Sequence, residues 1–268
     1  MKYGFIGTGC MGGALATACA KAIGPENILL SNRSPEKAQA LAEKLGALPA
    51  DNETITRDCD VIFLGVKPQT MAQMLLPLQP ILTGRRTPFV LVSMAAGVTI
   101  EALQDMAGGR YPVVRIMPNT ACAVGAGMTT YTCSAEITDR QRQTVLDALA
   151  ASGLLEEIEE GLMGAASAVA GCGGAYACLF LEGLADGGVL CGLPRKKAQR
   201  MAAQMLLGMA TQALESDEHT GALKDAVCSP AGSTIAGIRK LESMSFRSAA
   251  MEAVIAAWER EREMQQQK

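Results

Sequence analysis

The sequence predicts an α/β domain over residues 1–160 followed by an all-helical domain over 161–268, on three observations. Up to about residue 160, short apolar runs alternate with stretches of helical pattern, as strand–helix–strand units require. The runs are apolar on both faces, which implies a parallel sheet covered on both sides. From about 161 onward no convincing strand remains, and patterns rich in Ala, Leu and Met follow one another. With 268 residues and 49% apolar content, the chain can bury a large core in one or two domains.

In order along the chain, KYGFIG (2–7) reads as a strand running into a glycine turn, and 11–23 as an Ala-rich helix. ILLS (28–31) is a second strand. SPEKAQALAEKLG (34–46) opens on serine, carries proline at its first helical position and closes on glycine, all helix boundary signals. VIFLGV (61–66), FVLVS (89–93) and VVRIM (113–117) are further buried strands, with helices at 68–76, 99–106 and 137–153 and a last strand near 154–158. Helices then follow near 161–170, 173–191, 195–215, 231–242 and 244–264, separated by GLPR, SDEHTGA and a polar turn. The terminal EREREMQQQK reads as a solvated helix end.

Composition excludes several classes. A net charge of −3 offers no electrostatic case for nucleic acid or a membrane surface. Lys2 leads directly into the first strand, so no signal-peptide pattern is present. The apolar stretch 162–193 carries Glu182 and Asp186 near its middle, which favours a close-packed soluble helix over a membrane span. Nine scattered cysteines without a C-x-x-C pair read as small buried hydrophobes in a reducing cytoplasm. The single histidine, His219, excludes a His-rich metal site, and no metal is expected.

The first turn carries Gly7-x-Gly9-x-x-Gly12 between strand and helix. Glycines there permit a tight turn and close backbone approach, so a pyrophosphate can sit on the free N–H groups and positive end of the helix. A purely structural glycine turn is the alternative. The context predicts a Rossmann-like dinucleotide-binding domain. An NAD site usually places Asp or Glu at the end of the second strand, whereas this chain reads Ser31-Asn32-Arg33-Ser34. A guanidinium among small polar groups suits a 2′-phosphate, so NADP(H) is preferred and NAD(H) remains admissible; otherwise Arg33 merely caps its loop. Gly65-Val66-Lys67-Pro68 and Ser93-Met94-Ala95-Ala96-Gly97 follow later strands at the carboxyl edge, where small residues let a ribose or nicotinamide approach the backbone.

A nicotinamide enzyme reducing a carbonyl must protonate an alkoxide, typically from His, Lys or Tyr. His219 lies in a polar loop where a solvated imidazole is expected, and Lys196, Lys197, Lys224 and Lys240 lie in exposed helical contexts. Imine reduction asks for less, because a substrate protonated on nitrogen becomes an amine on hydride transfer to carbon. The protein then has to hold the ring, bind any carboxylate and steady the nitrogen. The segment VCSPAGSTIAGI (227–238) can do this. Gly232 lets a ligand approach, Ser233 and Thr234 lie at a helix start whose free N–H groups suit a carboxylate, and the Thr234 hydroxyl can bond a nitrogen. Simple capping of that helix by Ser229, Ser233 or Thr234 is an equal alternative.

The stretches IGTGCMGGALA, SNRSPEKA, FLGVKP, SMAAGVTIEAL, RIMPNT, LADGGVLCGLPR and LKDAVCSPAGSTIAGIRKLE resemble the pyrroline-5-carboxylate reductase family over essentially the whole chain. The last is the most specific, joining an S-P-x-G-x-T-I turn to flanking K-D and L-E. The resemblance implies NAD(P)H-dependent reduction of the cyclic imine 1-pyrroline-5-carboxylate to L-proline by direct hydride transfer, with no metal and no covalent intermediate. It implies dinucleotide contacts at Ile6, Gly7, Thr8, Gly9, Cys10, Met11, Asn32, Arg33, Ser34, Asn52, Gly65, Val66, Lys67, Pro68, Met94, Ala95 and Ala96. It implies a substrate loop at Gly232, Ser233 and Thr234, with the Thr234 hydroxyl, the catalytic group, near the ring nitrogen. The all-α C-terminal domain becomes a dimerisation domain of interlocked helices, often assembled into a ring of dimers, and each active site combines one subunit's nucleotide domain with its partner's helices.

This chain departs from the family pattern at three places. S-G-S-G-P-A-Y appears as Ala170-Gly171-Cys172-Gly173-Gly174-Ala175-Tyr176, a common asparagine is Ala226, and Ala231 stands where glycine is usual. Other readings are a reductase of another cyclic imino acid, a β-hydroxyacid dehydrogenase-like enzyme with a lysine at the nicotinamide, and an NADP-sensing regulatory module without turnover.

Overall fold

The structure, a computed structural model, describes residues 1–266. Its strands are β1 (Tyr3–Ile6), β2 (Ile28–Ser31), β3 (Leu48–Pro49), β4 (Val61–Leu64), β5 (Val90–Ser93), β6 (Val113–Met117), β7 (Gly127–Cys133) and β8 (Gly153–Glu157). They form one sheet in the order β3-β2-β1-β4-β5-β6-β7-β8. From β3 across to β6 every neighbouring pair is parallel. Strands β1, β2, β4, β5 and β6 are buried along their whole length, as runs apolar on both faces require. Phe5 stacks on Phe63 across β1 and β4 at 4.3 Å. Each such buried ring contributes roughly 1.5–3 kcal/mol.

Helices α1 (Cys10–Ile23), α2 (Pro35–Leu45), α3 (Asn52–Asp58), α4 (Pro68–Leu75), α5 (Gln79–Gly84), α6 (Ile100–Ala107) and α7 (Asp139–Leu149) cover this sheet. Leu15 and Cys19 of α1, Ala38 of α2 and Val145 of α7 pack with Phe5 and Phe63 on one face. Ile55 of α3, Met71 of α4, Leu82 of α5 and Leu103 of α6 pack with Ile6 and Leu64 on the other. Helix α2 has proline in its first turn and ends on Gly46 at φ 80°, where the boundary signals placed it.

The sheet is mixed, not purely parallel. The segment GMTTYTC forms β7, which runs antiparallel to β6 with Arg115 opposite Thr132. It is absent from the sequence expectation because three of its seven residues, Thr129, Thr130 and Thr132, are threonines and break any apolar run. Helices α3 and α5 are also additions. The seven residues of α3 lack an apolar stripe and owe their start to Asp51, whose carboxylate accepts the Thr54 N–H at 2.6 Å.

Residues expected as one helix over 161–170 form a 3₁₀ turn (Glu160–Leu162), a short α8 (Met163–Ala166) and a π-turn (Ser167–Gly171). Met163, Ser167 and Ala168 are buried, so this segment belongs to the first compact unit. That unit comprises Met1–Cys172 together with the last helix from Ala257 on, and the second comprises Gly173–Ala256. By packing, the two units divide at 172/173. The second unit contains α9 (Gly173–Leu190), α10 (Arg195–Glu215), α11 (Thr220–Ala226), α12 (Ser233–Ser243) and most of α13 (Phe246–Gln266). Helix α11 replaces an expected loop, and His219 caps it by accepting the Gly221 N–H at 3.0 Å.

Cysteines divide unevenly. Cys19, Cys59 and Cys122 are buried free thiols, and burial pushes Cys59 up to about 12. Cys10, Cys172, Cys178 and Cys191 are exposed, against the expectation of uniformly buried small hydrophobes. Cys10 is the first residue of α1, and the others lie in or beside a helical unit with little core of its own.

A polar layer underlies β6. Arg115 is only 3% exposed. Its guanidinium donates to Glu160 at 3.0 Å, and the same Glu160 oxygen accepts the first N–H of α6, from Ile100, at 2.7 Å. Glu261 of α13 is 6% exposed, which corrects the reading of EREREMQQQK as wholly solvated; Gln267 and Lys268 of that stretch lie outside the described residues. Burial pushes the Glu261 carboxyl above the usual carboxylate range, against a Ser167 hydrogen bond and the Arg115 charge. A carboxyl raised in the folded state stabilises the fold at low pH and loses that contribution as pH rises through its folded value. Glu261→Gln is therefore expected to raise the melting temperature relative to wild type by more at pH 8 than at pH 5; paired thermal melts measure the difference.

Candidate active site

The first turn is shaped by the exclusion of side chains. Gly7 sits at φ 99° and donates its N–H to the Ser31 carbonyl at 2.9 Å. A Cβ on Gly7 would lie 2.6 Å from the Gly65 carbonyl oxygen, and one on Gly12 or Gly65 would collide with the Gly7 carbonyl oxygen. The turn after β1, the first turn of α1 and the turn after β4 thus meet backbone to backbone. Gly9 differs: no atom lies within 4 Å of where its Cβ would point.

Helix α1 starts at that open position with Gly9 as its N-cap and no side-chain cap. Its first intrahelical bond runs from the Gly13 N–H to the Gly9 carbonyl at 2.8 Å, so the N–H groups of Cys10, Met11 and Gly12 face the opening without helical partners. Buried Thr8 adds a hydroxyl with no partner among the described residues. Free amides, a positive helix end and space above a glycine fit a pyrophosphate.

The end of β2 supplies a cleft of about 730 Å³ lined by Ser31, Asn32, Arg33 and Asn52, among others. Ser31 donates its hydroxyl to Asn52 Oδ1 at 2.6 Å, which draws the start of α3 against the end of β2. Arg33 is exposed and makes no ion pair among the described residues. Asp51 and Glu53 also line this cleft and were not expected there. Hydrogen bonds from Thr54 hold the Asp51 carboxyl below its usual range, so its charge serves the cap of α3. An Asp three residues before a threonine, ahead of a short polar helix, was the available sequence signal.

The two later turns follow β4 and β5, both parallel to β1, so all three lie at the carboxyl edge. Exposed Lys67 is the N-cap of α4 and Pro68 opens it, without a side-chain cap. In the other turn Ala95 is buried, Ala96 exposed, and the Ala95 N–H donates to Ser93 Oγ at 3.3 Å. The structure therefore places Ile6 to Met11, Gly65 to Pro68 and Met94 to Ala96 along one edge, and Asn32, Arg33 and Asn52 in one cleft.

The proposed substrate loop lies in the second unit. Ala231 sits at φ 58° in the left-handed region, where a side chain is strained, and the Gly232 N–H donates to the Ser229 carbonyl at 3.0 Å. Gly232 is the N-cap of α12 and no side chain caps that helix. Simple capping by Ser229, Ser233 or Thr234 is thereby removed; Ser233 and Thr234 stand exposed at a helix start with free amides. Of the candidate bases, His219 caps α11 and Lys224 is paired with Asp225. Among the described residues no group of three or more His, Cys, Asp or Glu side chains gathers as a metal site.

Comparison with known proteins decides the kinship. Residues 160–264 match the family described as pyrroline-5-carboxylate reductase dimerisation, and residues 2–97 match NADP oxidoreductase, coenzyme F420-dependent. The pyrroline-5-carboxylate reductase of Methanosarcina acetivorans is 40% identical over 98% of this chain and 97% of its own length. That of Escherichia coli is 38% identical over 97% and 96%.

The chain belongs to the pyrroline-5-carboxylate reductase family.

A solved reductase of that name from Plasmodium falciparum, with NADP bound, superposes with a TM-score of 0.88 at 34% identity, covering 99% of this chain and 98% of that one. The α/β nucleotide-binding unit and helical dimerisation region of the reductase family are thus both present. The contrast between glycines gives a test. Gly9→Ala points a methyl into the open space where a pyrophosphate would lie, so NADPH affinity should fall about tenfold with the melting temperature unchanged. Gly12→Ala should lower both, since its methyl meets backbone. Equilibrium titration and thermal melts on the two variants separate these effects.

Proposed function

We propose that this protein reduces 1-pyrroline-5-carboxylate to L-proline with NADP(H) as its preferred dinucleotide. Full-length kinship to pyrroline-5-carboxylate reductases carries this reading, and the free helix start at Ser233–Thr234 supports it.

A bound reduced nicotinamide supplies the hydride. The amides of Cys10 and Met11 would hold the pyrophosphate, and Asn32, Arg33, Ser34 and Asn52 the adenosine ribose and its 2′-phosphate. Gly65, Val66, Lys67 and Pro68, with Met94, Ala95 and Ala96, would hold the nicotinamide end. The Arg33 guanidinium, free of ion pairs among the described residues, is available for charge-assisted bonds to phosphate. The free N–H groups of Ser233 and Thr234 would receive the substrate carboxylate, and Gly232 allows its approach. The Thr234 hydroxyl bonds the ring nitrogen and orients the C=N carbon. That nitrogen enters protonated, so no side chain has to deliver a proton, in keeping with the other engagements of His219 and Lys224.

We further infer a soluble, cytoplasmic homodimer formed through the second unit. Among its described residues only Ala185, Ala198, Ala202 and Leu223 are buried, while Leu179, Leu190, Met201, Leu207, Leu214 and Met251 are exposed. A unit so apolar and so little buried requires a partner face, and the matched dimerisation family points to a second copy. The run Glu160–Leu190, with mean hydropathy 1.5, is long and apolar enough to cross a membrane. We assign it to that dimer core, since a π-turn interrupts it and Glu182 and Asp186 lie on it.

An NADPH-oxidation assay with 1-pyrroline-5-carboxylate beside a six-membered cyclic imine tests the substrate; no oxidation with either would refute the reading. Thr234→Ala should lower turnover roughly ten- to a hundredfold, about 1.4–2.8 kcal/mol at the transition state. Arg33→Ala should weaken NADPH far more than NADH, and an equal effect on both would remove the 2′-phosphate role.

A further inference from the structure

The cleft at the end of β2 carries a charge balance that a 2′-phosphate alone does not explain. Its lining includes three charged side chains, Arg33, Asp51 and Glu53, one cation against two carboxylates. A guanidinium suits a phosphate, whereas a surplus of carboxylate opposes one. An NAD site usually places its acid at the end of the second strand. That place holds no acid in this chain, yet two acids enter the same cleft from the start of α3.

The two acids are not equivalent. The Asp51 carboxylate accepts the Thr54 N–H at 2.6 Å and is engaged in capping α3. Beside it, Asn52 Oδ1 accepts the Ser31 hydroxyl at 2.6 Å, which fixes this start of α3 against the end of β2. Glu53 follows directly, in the first turn of the helix. Among the described residues its carboxylate pairs only with Arg57, one turn further on, at 4.0 Å and with both side chains more than half exposed. An exposed helical pair of that length is worth little. Arg33 and Glu53 do not pair with each other among the described residues. Both charges are therefore left to act on whatever occupies the cleft. A phosphate drawn to Arg33 meets the Glu53 carboxylate in the same space, and a dinucleotide with a plain 2′-hydroxyl escapes that repulsion. Across a cleft open to solvent the repulsion is modest and screened by salt.

We propose that Glu53 is a specificity-determining residue of the dinucleotide site. Its carboxylate opposes the 2′-phosphate that Arg33 attracts, and so narrows the margin by which NADPH is preferred over NADH. This role rests on the NADP(H) reading above, which places the 2′-phosphate in that cleft.

Equilibrium titrations of NADPH and NADH against wild type, Glu53→Gln, Glu53→Lys and Arg33→Ala test the role without recourse to turnover. Glu53→Gln removes the charge and keeps the shape, so NADPH should bind about threefold more tightly while NADH stays within about 1.5-fold of wild type. Glu53→Lys reverses the charge and should tighten NADPH about tenfold. At about 1 M salt, where the screening length falls to about 3 Å, the gain from Glu53→Gln should vanish. Unchanged NADPH affinity in both Glu53 variants overturns the proposal. So does an equal gain for NADH, or a gain that survives high salt and therefore reports packing. Arg33→Ala weakening both dinucleotides alike would instead refute the placing of the 2′-phosphate, and with it the role of Glu53.

Discussion

The carbonyl oxygen of Gly7 is approached from two sides by positions where no side chain fits, Gly12 and Gly65, and the functional edge of the sheet depends on that closeness. It lets α1 begin immediately beyond β1 and brings the turn after β4 against the same spot. With no side chain capping α1, its first amides remain open to an anion. Gly9, beside them, faces empty space. One set of contacts thus decides both that the backbone closes and that an opening remains beside Gly9.

A second constraint acts beneath β6. Arg115 is buried in a largely apolar sheet and would be costly without a partner. Glu160 supplies one, and the same oxygen receives the first N–H of α6, just beyond the turn at Met94–Ala96. Charge neutralisation and loop placement are thereby one interaction. The second unit is organised differently. Its few buried residues are small and its large apolar side chains face outward, and this stretch lies within the match to a dimerisation family.

Much of this was legible in the sequence where local chemistry and tertiary demand agree. Strands apolar on both faces had to be central and parallel, and α2 carried its own start and stop in Pro35 and Gly46. The glycine turn was readable because its spacing encodes backbone closeness. What escaped reading depends on distant partners. The strand β7 hides because Thr129, Thr130 and Thr132 look polar until β6 is placed beside them. Glu261 sits in a run of charges that reads as solvated, and only the fold shows it buried near Arg115. At Ser233 and Thr234 the residue types alone suggested caps as readily as a site, and no side chain caps the start of α12.

The central claim is hydride delivery to the carbon of a protonated cyclic imine. Its most direct test supplies NADPH deuterated at the transferring position of nicotinamide C4 together with 1-pyrroline-5-carboxylate, and locates the label by mass spectrometry and NMR. The account predicts a single deuterium per proline, on the ring carbon formerly doubly bonded to nitrogen and remote from the carboxylate. Deuterium on the carbon bearing the carboxylate, or proline formed without label, would contradict it.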